Sequence, residues 1–140
     1  DGEVILKKYS PIGELGDFAK EYADSLYDSL QHITLISDRD TVIAVSGASK
    51  KDFLDKPVGE VVEVAMESRR TQMENTPGEY DVVKDFRQPI QAFVVAPIIA
   101  GGDPIGAVIL ISQEPNARMD ELEIKMAETA AGFLGRQMEQ

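Results

Sequence analysis

The chain has 140 residues and no cysteine, and its 25 acidic against 14 basic side chains give a formal net charge of −11. That charge repels phosphate backbones, so this stretch alone is not expected to hold DNA or RNA. The absent thiols remove disulfides, thiolate nucleophiles and thiolate metal sites together, which fits a reducing, cytoplasmic setting. The length suits one domain, and no apolar run reaches the roughly 18–20 residues that span a bilayer. No basic-then-apolar signal peptide opens the chain, and Asp1 at its head reads as the start of an excised piece.

Residues 3–9 read as a short strand without a hairpin partner, the last strand of something cut away. Over 14–31, Leu15, Phe18, Tyr22, Leu26 and Leu30 recur at steps of three or four and predict a helix, with Ala19, Ala23 and Tyr27 as a second stripe. ITLIS and TVIAVSG in 33–47 predict a hairpin turned by Asp38, Arg39 and Asp40. A helical turn over 49–55 with Ser49 as cap follows. Pro57 then opens a helix over 58–73, striped by Val58, Val61, Val62, Ala65, Met66 and Arg69. Residues 74–90 are broken by Asn75, Pro77, Gly78, Asp85 and Pro89; they read as a flexible loop with a short strand at 80–84. The runs AFVVAPIIA and PIGAVILIS in 91–112 predict a central hairpin covered on both faces, with Gly106 at a bulge or close backbone approach.

The final helix, 119–138, is capped by Asn116 or Asp120 and carries two apolar stripes. Met119, Leu122, Met126, Ala130 and Phe133 make one; Ile124, Ala127, Ala131, Leu134 and Met138 make the other. A helix with two stripes needs cover on two sides. The terminal helices are expected side by side on the sheet, with small Ala127 and Ala131 permitting close helix approach. Phe18, Tyr22, Ala23 and Leu26 with Ile124, Ala127, Ala131, Leu134 and Met138 are the candidate homodimer interface, a four-helix bundle on a two-fold axis. An intramolecular helix pair that uses both stripes is the competing reading.

Candidate chemistry is sparse. His32 is the single histidine, so neither a triad nor a usual zinc site can be built on it. No serine occupies a GxSxG elbow. Ser46, Ser49 and Lys50 lie in a polar cluster that could accept an anion at a helix start. The glycines at 101–102 and the acidic residues at 38–40 read as turns, and the Arg69, Arg70 doublet as a cap for the preceding helix. No catalytic or metal-ligating residue and no cofactor is expected. The candidate ligand pocket lies between sheet and helices, at Ser46, Ser49, Lys50, Phe53, Tyr80, Phe86 and Phe93. A closed core filled by Met and Phe is the alternative.

The order helix, hairpin, helix, irregular loop, hairpin, helix resembles a GAF domain, carried best by APII at 96–99 and GDPIGAVI at 102–109. The resemblance implies a mixed α/β fold, a central antiparallel sheet with N- and C-terminal helices packed together on one face. DGEVILKKYSPI at 1–12, ELGDFAKEYAD at 14–24, ETAAGFL at 128–134 and RQMEQ at 136–140 are similar to the SpoVT family of AbrB-type sporulation regulators. On that resemblance, 1–12 is the remnant last strand and linker of an AbrB-type DNA-binding domain, and 13–140 is the GAF-like regulatory and dimerisation domain. The resemblance further implies a transcription factor of the forespore, a tetramer at full length, with DNA contacts in the missing N-terminal domain and an unknown small-molecule effector. No DNA-contacting residue is carried over. The absent cysteine argues against the bilin attachment and thiol-based reductase chemistry known on GAF domains.

Overall fold

Strands apolar on both faces can lie only where both faces are covered, and that rule places the two long runs of 91–112 at the centre of the molecule. The computed structural model describes residues 11–139; the strand expected over 3–9 lies outside them. The elements are α1 (Pro11–Leu30), β1 (Ile33–Asp38), β2 (Val42–Ser46), α2 (Lys50–Phe53), α3 (Glu60–Ser68), β3 (Gln72–Glu74), β4 (Ala92–Ala100), β5 (Asp103–Ser112) and α4 (Glu121–Met138). The five strands form one antiparallel sheet in the order β2-β1-β5-β4-β3.

Alternation along the strands divides the core in two. Ile36, Val94, Val108 and Leu110 face α1 and α4, meeting Leu15, Ala19, Ala23 and Leu26 of α1 and Ala127, Ala131, Leu134 and Met138 of α4. Their neighbours Leu35, Phe93, Val95, Ile109 and Ile111 face the other way, toward Val62, Ala65 and Met66 of α3 and Val82, Val83 and Ile90 of the long loop. The terminal helices therefore share one face, as the resemblance implied.

Two turns follow from their chemistry. Asp38 Oδ1 accepts from the N–H groups of Asp40 (2.7 Å) and Thr41 (2.8 Å), so the side chain supplies the β1–β2 turn. Gly101 and Gly102 adopt φ of 58° and 86° at the β4–β5 tip, a region that glycine enters without steric cost. At the start of α4, Asp120 accepts from Leu122 N–H while Glu123 Oε1 accepts from Asp120 N–H at 2.7 Å, a reciprocal capping box.

The structure departs from the sequence reading in the middle of the chain. The helix expected over 58–73 spans only Glu60–Ser68. Arg69 turns left-handed (φ 56°) and its N–H returns to the carbonyls of Ala65 and Met66, which ends the helix by backbone geometry. Met73, read as helical, lies in β3 instead. Pro57 precedes α3, in an isolated bridge to Thr41. Ser49 holds the N-cap position of α2 but its side chain makes no capping bond. The segment 80–84 forms no strand, only an isolated bridge between Val58 and Val83.

Close approach explains two glycines. A Cβ at Gly106 would lie 2.0 Å from Ser37 O on β1, and one at Gly135 would lie 2.1 Å from Ile99 O on β4. Gly132, one turn earlier in α4, would place a Cβ no nearer than 3.8 Å to anything, that neighbour being the tip of Arg136. Equilibrium urea unfolding should therefore separate the two positions. Gly135→Ala should destabilise by about 1–3 kcal/mol through overpacking. Gly132→Ala should be neutral or gain up to about 1 kcal/mol from helix propensity. Equal effects would contradict the helix–strand contact.

Candidate functional site

α1 and α4 lie side by side, and their shared outer surface is the first candidate site. Tyr22 of α1 and Phe133 of α4 stack at 5.2 Å between ring centroids, tilted by 30°. At the other end His32 Nε2 stands 3.4 Å from Glu123 Oε2, tying the α1–β1 junction to the first turn of α4. His32 is thus taken up structurally.

Six of the nine candidate interface residues are covered by their own subunit. Ala23, Leu26, Ala127, Ala131, Leu134 and Met138 are buried in the core under the helices. The small residues of α4 serve close approach to strand β4, where Gly135 meets Ile99, rather than approach to a second helix. Ile124 is half-buried. Phe18 remains at the surface, 36% exposed, with Tyr22 half-buried beside it. On α4 part of the other stripe faces outward: Leu122 is 57% exposed, Phe133 37%, and Met126 half-buried, while Met119 and Ala130 are buried in the core.

The candidate ligand pocket is divided. Phe53 is buried with its ring centroid 4.7 Å from that of Phe86, and Phe93 is buried in edge contact with Tyr80 at 5.0 Å. These pairs pack under the sheet, with a cleft of about 400 Å³ beside Tyr80 and Phe86 and one of about 410 Å³ beside Tyr80 and Phe93. Desolvation pushes the Tyr80 phenol above 10.0, and its hydroxyl donates to Thr76 O. Ser46 and Lys50 instead face α1, where Asp24 is held below 3.8 first by its hydrogen bond from Lys20, then by Ser46, with Lys50 adding to the field. Ser49 stands between them at the head of α2.

The loop over 74–90 is stapled rather than free. The Asn75 side chain brackets Met119, donating to its carbonyl at 2.8 Å and accepting from its N–H at 2.7 Å. Asp81 accepts from Glu60 N–H at 3.0 Å, capping α3 from 21 residues away, and from Lys84 Nζ at 2.8 Å. Lys84 first and the Glu60 N–H second hold the Asp81 carboxyl below 3.8. Neither Asn75 nor Asp81 carried a periodic signal; both act at long sequence distance. Among the described residues no group of three or more His, Asp or Glu side chains is placed to hold a metal ion, and no helix is long and apolar enough to cross a membrane.

Comparison with known proteins decides the family. The family described as Stage V sporulation protein T C-terminal, transcription factor, matches residues 14–139. The chain belongs to that family. Stage V sporulation protein T of Bacillus subtilis (strain 168) is 56% identical over 140 residues, all of this chain and 78% of that protein. Solved structures add the fold. The GAF domain from Acinetobacter phosphoenolpyruvate-protein phosphotransferase superposes with a TM-score of 0.71 at 12% identity, covering 95% of this chain and 84% of that one. The blue-light absorbing form of the Thermosynechococcus elongatus PixJ GAF domain gives 0.70 at 16% identity, covering 94% and 89%. Type II free methionine-R-sulfoxide reductase from Thermoplasma acidophilum gives 0.62 at 16%, covering 86% and 92%. The fold of this SpoVT-family chain is therefore that of a GAF domain, a scaffold shared by proteins of different function.

The Asp81 staple has a measurable sign. Its carboxyl is more acidic folded than unfolded, so its contribution is full above about pH 4 and fades as pH falls through the depressed value. Asp81→Ala should lose about 1 kcal/mol of stability at pH 7. In urea unfolding the gap to the unaltered chain should narrow below pH 4. A gap independent of pH would contradict the cap.

Proposed function

We propose that this chain is the regulatory and dimerisation domain of a DNA-binding transcription factor acting in the forespore, within the cytoplasm. The observation that carries the reading is the apolar strip on the outer face of α1 and α4, formed by Phe18, Tyr22, Leu122, Met126 and Phe133. Contiguous large apolar side chains on an otherwise acidic surface mark an association site. A second copy related by a two-fold axis covers the strip with itself and completes a four-helix bundle. DNA contact is assigned to an AbrB-type domain N-terminal to this one, since a domain of charge −11 is repelled by DNA. Pairing of those domains across a second axis would give a tetramer.

The domain works without turnover in this reading. Its family is one of transcription factors, its single histidine is clamped to Glu123, and it has no thiol. Burial of Phe53 and Phe93 favours a core closed at those two positions of the candidate ligand pocket.

Native mass spectrometry with circular dichroism tests the interface. Leu122→Glu combined with Phe133→Glu should give a folded monomer from a dimeric parent. Ala127→Glu, at a fully buried position, should lose the fold instead. A folded double variant that keeps the dimer mass, or a parent that is monomeric, would contradict the proposal.

A further inference from the structure

β3 pairs with β4 only opposite Phe93–Val95. Beyond Val95 the segment 69–71 leaves the edge of the sheet, and Pro97 offers no N–H there to continue a ladder. A cleft of about 600 Å³ opens between that segment, β4 and the flank of α4. Its volume lies within the roughly 300–1,000 Å³ of ordinary small-molecule sites.

The two halves of the cleft differ in chemistry. Ala96, Pro97, Ile124 and Ala131 supply an apolar floor of mostly small side chains. Arginines gather at the other side of a chain whose net charge is −11. Arg69 is pinned by its Nε, which donates to Gly102 O at 2.9 Å. Arg70 lines the cleft; its backbone bonds to Ala65 and Gln72, while its guanidinium makes no hydrogen bond or ion pair among the described residues. Arg136 of α4 does not line the cleft, but its guanidinium lies near Gly132, which does. The carboxylate at the rim, Glu128, accepts from Thr71 Oγ1 at 2.6 Å, so one of its oxygens is already engaged. Guanidinium forks match oxyanions in geometry and charge.

We propose that this cleft binds a small amphipathic anion, a carboxylate or phosphate monoester carried on an apolar body. The charged head meets Arg70 and the body lies on the floor between β4 and α4. The site is on the flank of α4 turned away from Leu122, Met126 and Phe133, so a ligand and a second copy do not compete. A bound anion would tie the end of α3 to the sheet and to α4. Its regulatory consequence rests on the function proposed above; the site does not.

The test is an amide-detected NMR titration of the 140-residue chain with octanoate and with octyl phosphate, the tighter of the two naming the head group. Saturable shifts should centre on Thr71, Met73, Ile124 and Gly132. Arg70→Ala should weaken binding about tenfold, the loss of one charge-assisted hydrogen bond. Gly132→Leu should abolish it while leaving the fold intact, because a side chain there enters open space. Four results would overturn the proposal. Octanol could shift the same signals as strongly, or inorganic phosphate could bind as tightly as octyl phosphate. Shifts could fall only outside the cleft, or the cleft signals could respond to protein concentration alone, which would put a second copy there. Native mass measured on the same samples separates the claims. Lost binding in an intact dimer sinks the site alone, and binding to a monomer sinks the dimer proposal alone.

Discussion

The contact between Gly135 and the Ile99 carbonyl governs how this molecule is arranged. It lets helix α4 lie directly on strand β4, with Ala127, Ala131 and Gly135 one above another at steps of four. A helix seated on its small side must turn its large side elsewhere. Leu122, Met126 and Phe133 therefore point outward beside α1, where Tyr22 meets Phe133. The same seating leaves room at Gly132 on the opposite flank, where the cleft opens toward the arginines. One steric fact thus fixes the core, the exposed strip and the cleft.

Elements with strong apolar periodicity were legible in the sequence. The central hairpin, the β1–β2 hairpin and both terminal helices lie where their patterns placed them, and Gly106 marks the close approach expected of it. The outward face of α4 was not legible, because both of its stripes are apolar and periodicity does not say which faces the sheet. Close packing decided it: small residues went under and large ones out. The length of α3 was hidden for another reason. Arg69 adopts a left-handed turn usually marked by glycine, so the pattern ran on into β3 without a stop signal.

The loop over 74–90 shows how polar side chains order a segment that apolar patterning leaves blank. Asn75 and Asp81 fasten it to Met119 and to the head of α3, and Tyr80 and Phe86 on either side of Asp81 reach their aromatic partners. The aromatic pairs pack under the sheet on this side, with small clefts at their edges, and the cleft with the arginines lies beside α4.

Whether the exposed strip is a two-fold interface can be read by isotope-filtered NMR on a mixture of labelled and unlabelled chains. A two-fold bundle gives intermolecular contacts from the Phe133 ring of one copy to Leu122 and Met126 methyl groups of the other. Intermolecular contacts confined to strand edges, or none at concentrations where the chain is dimeric, would contradict it.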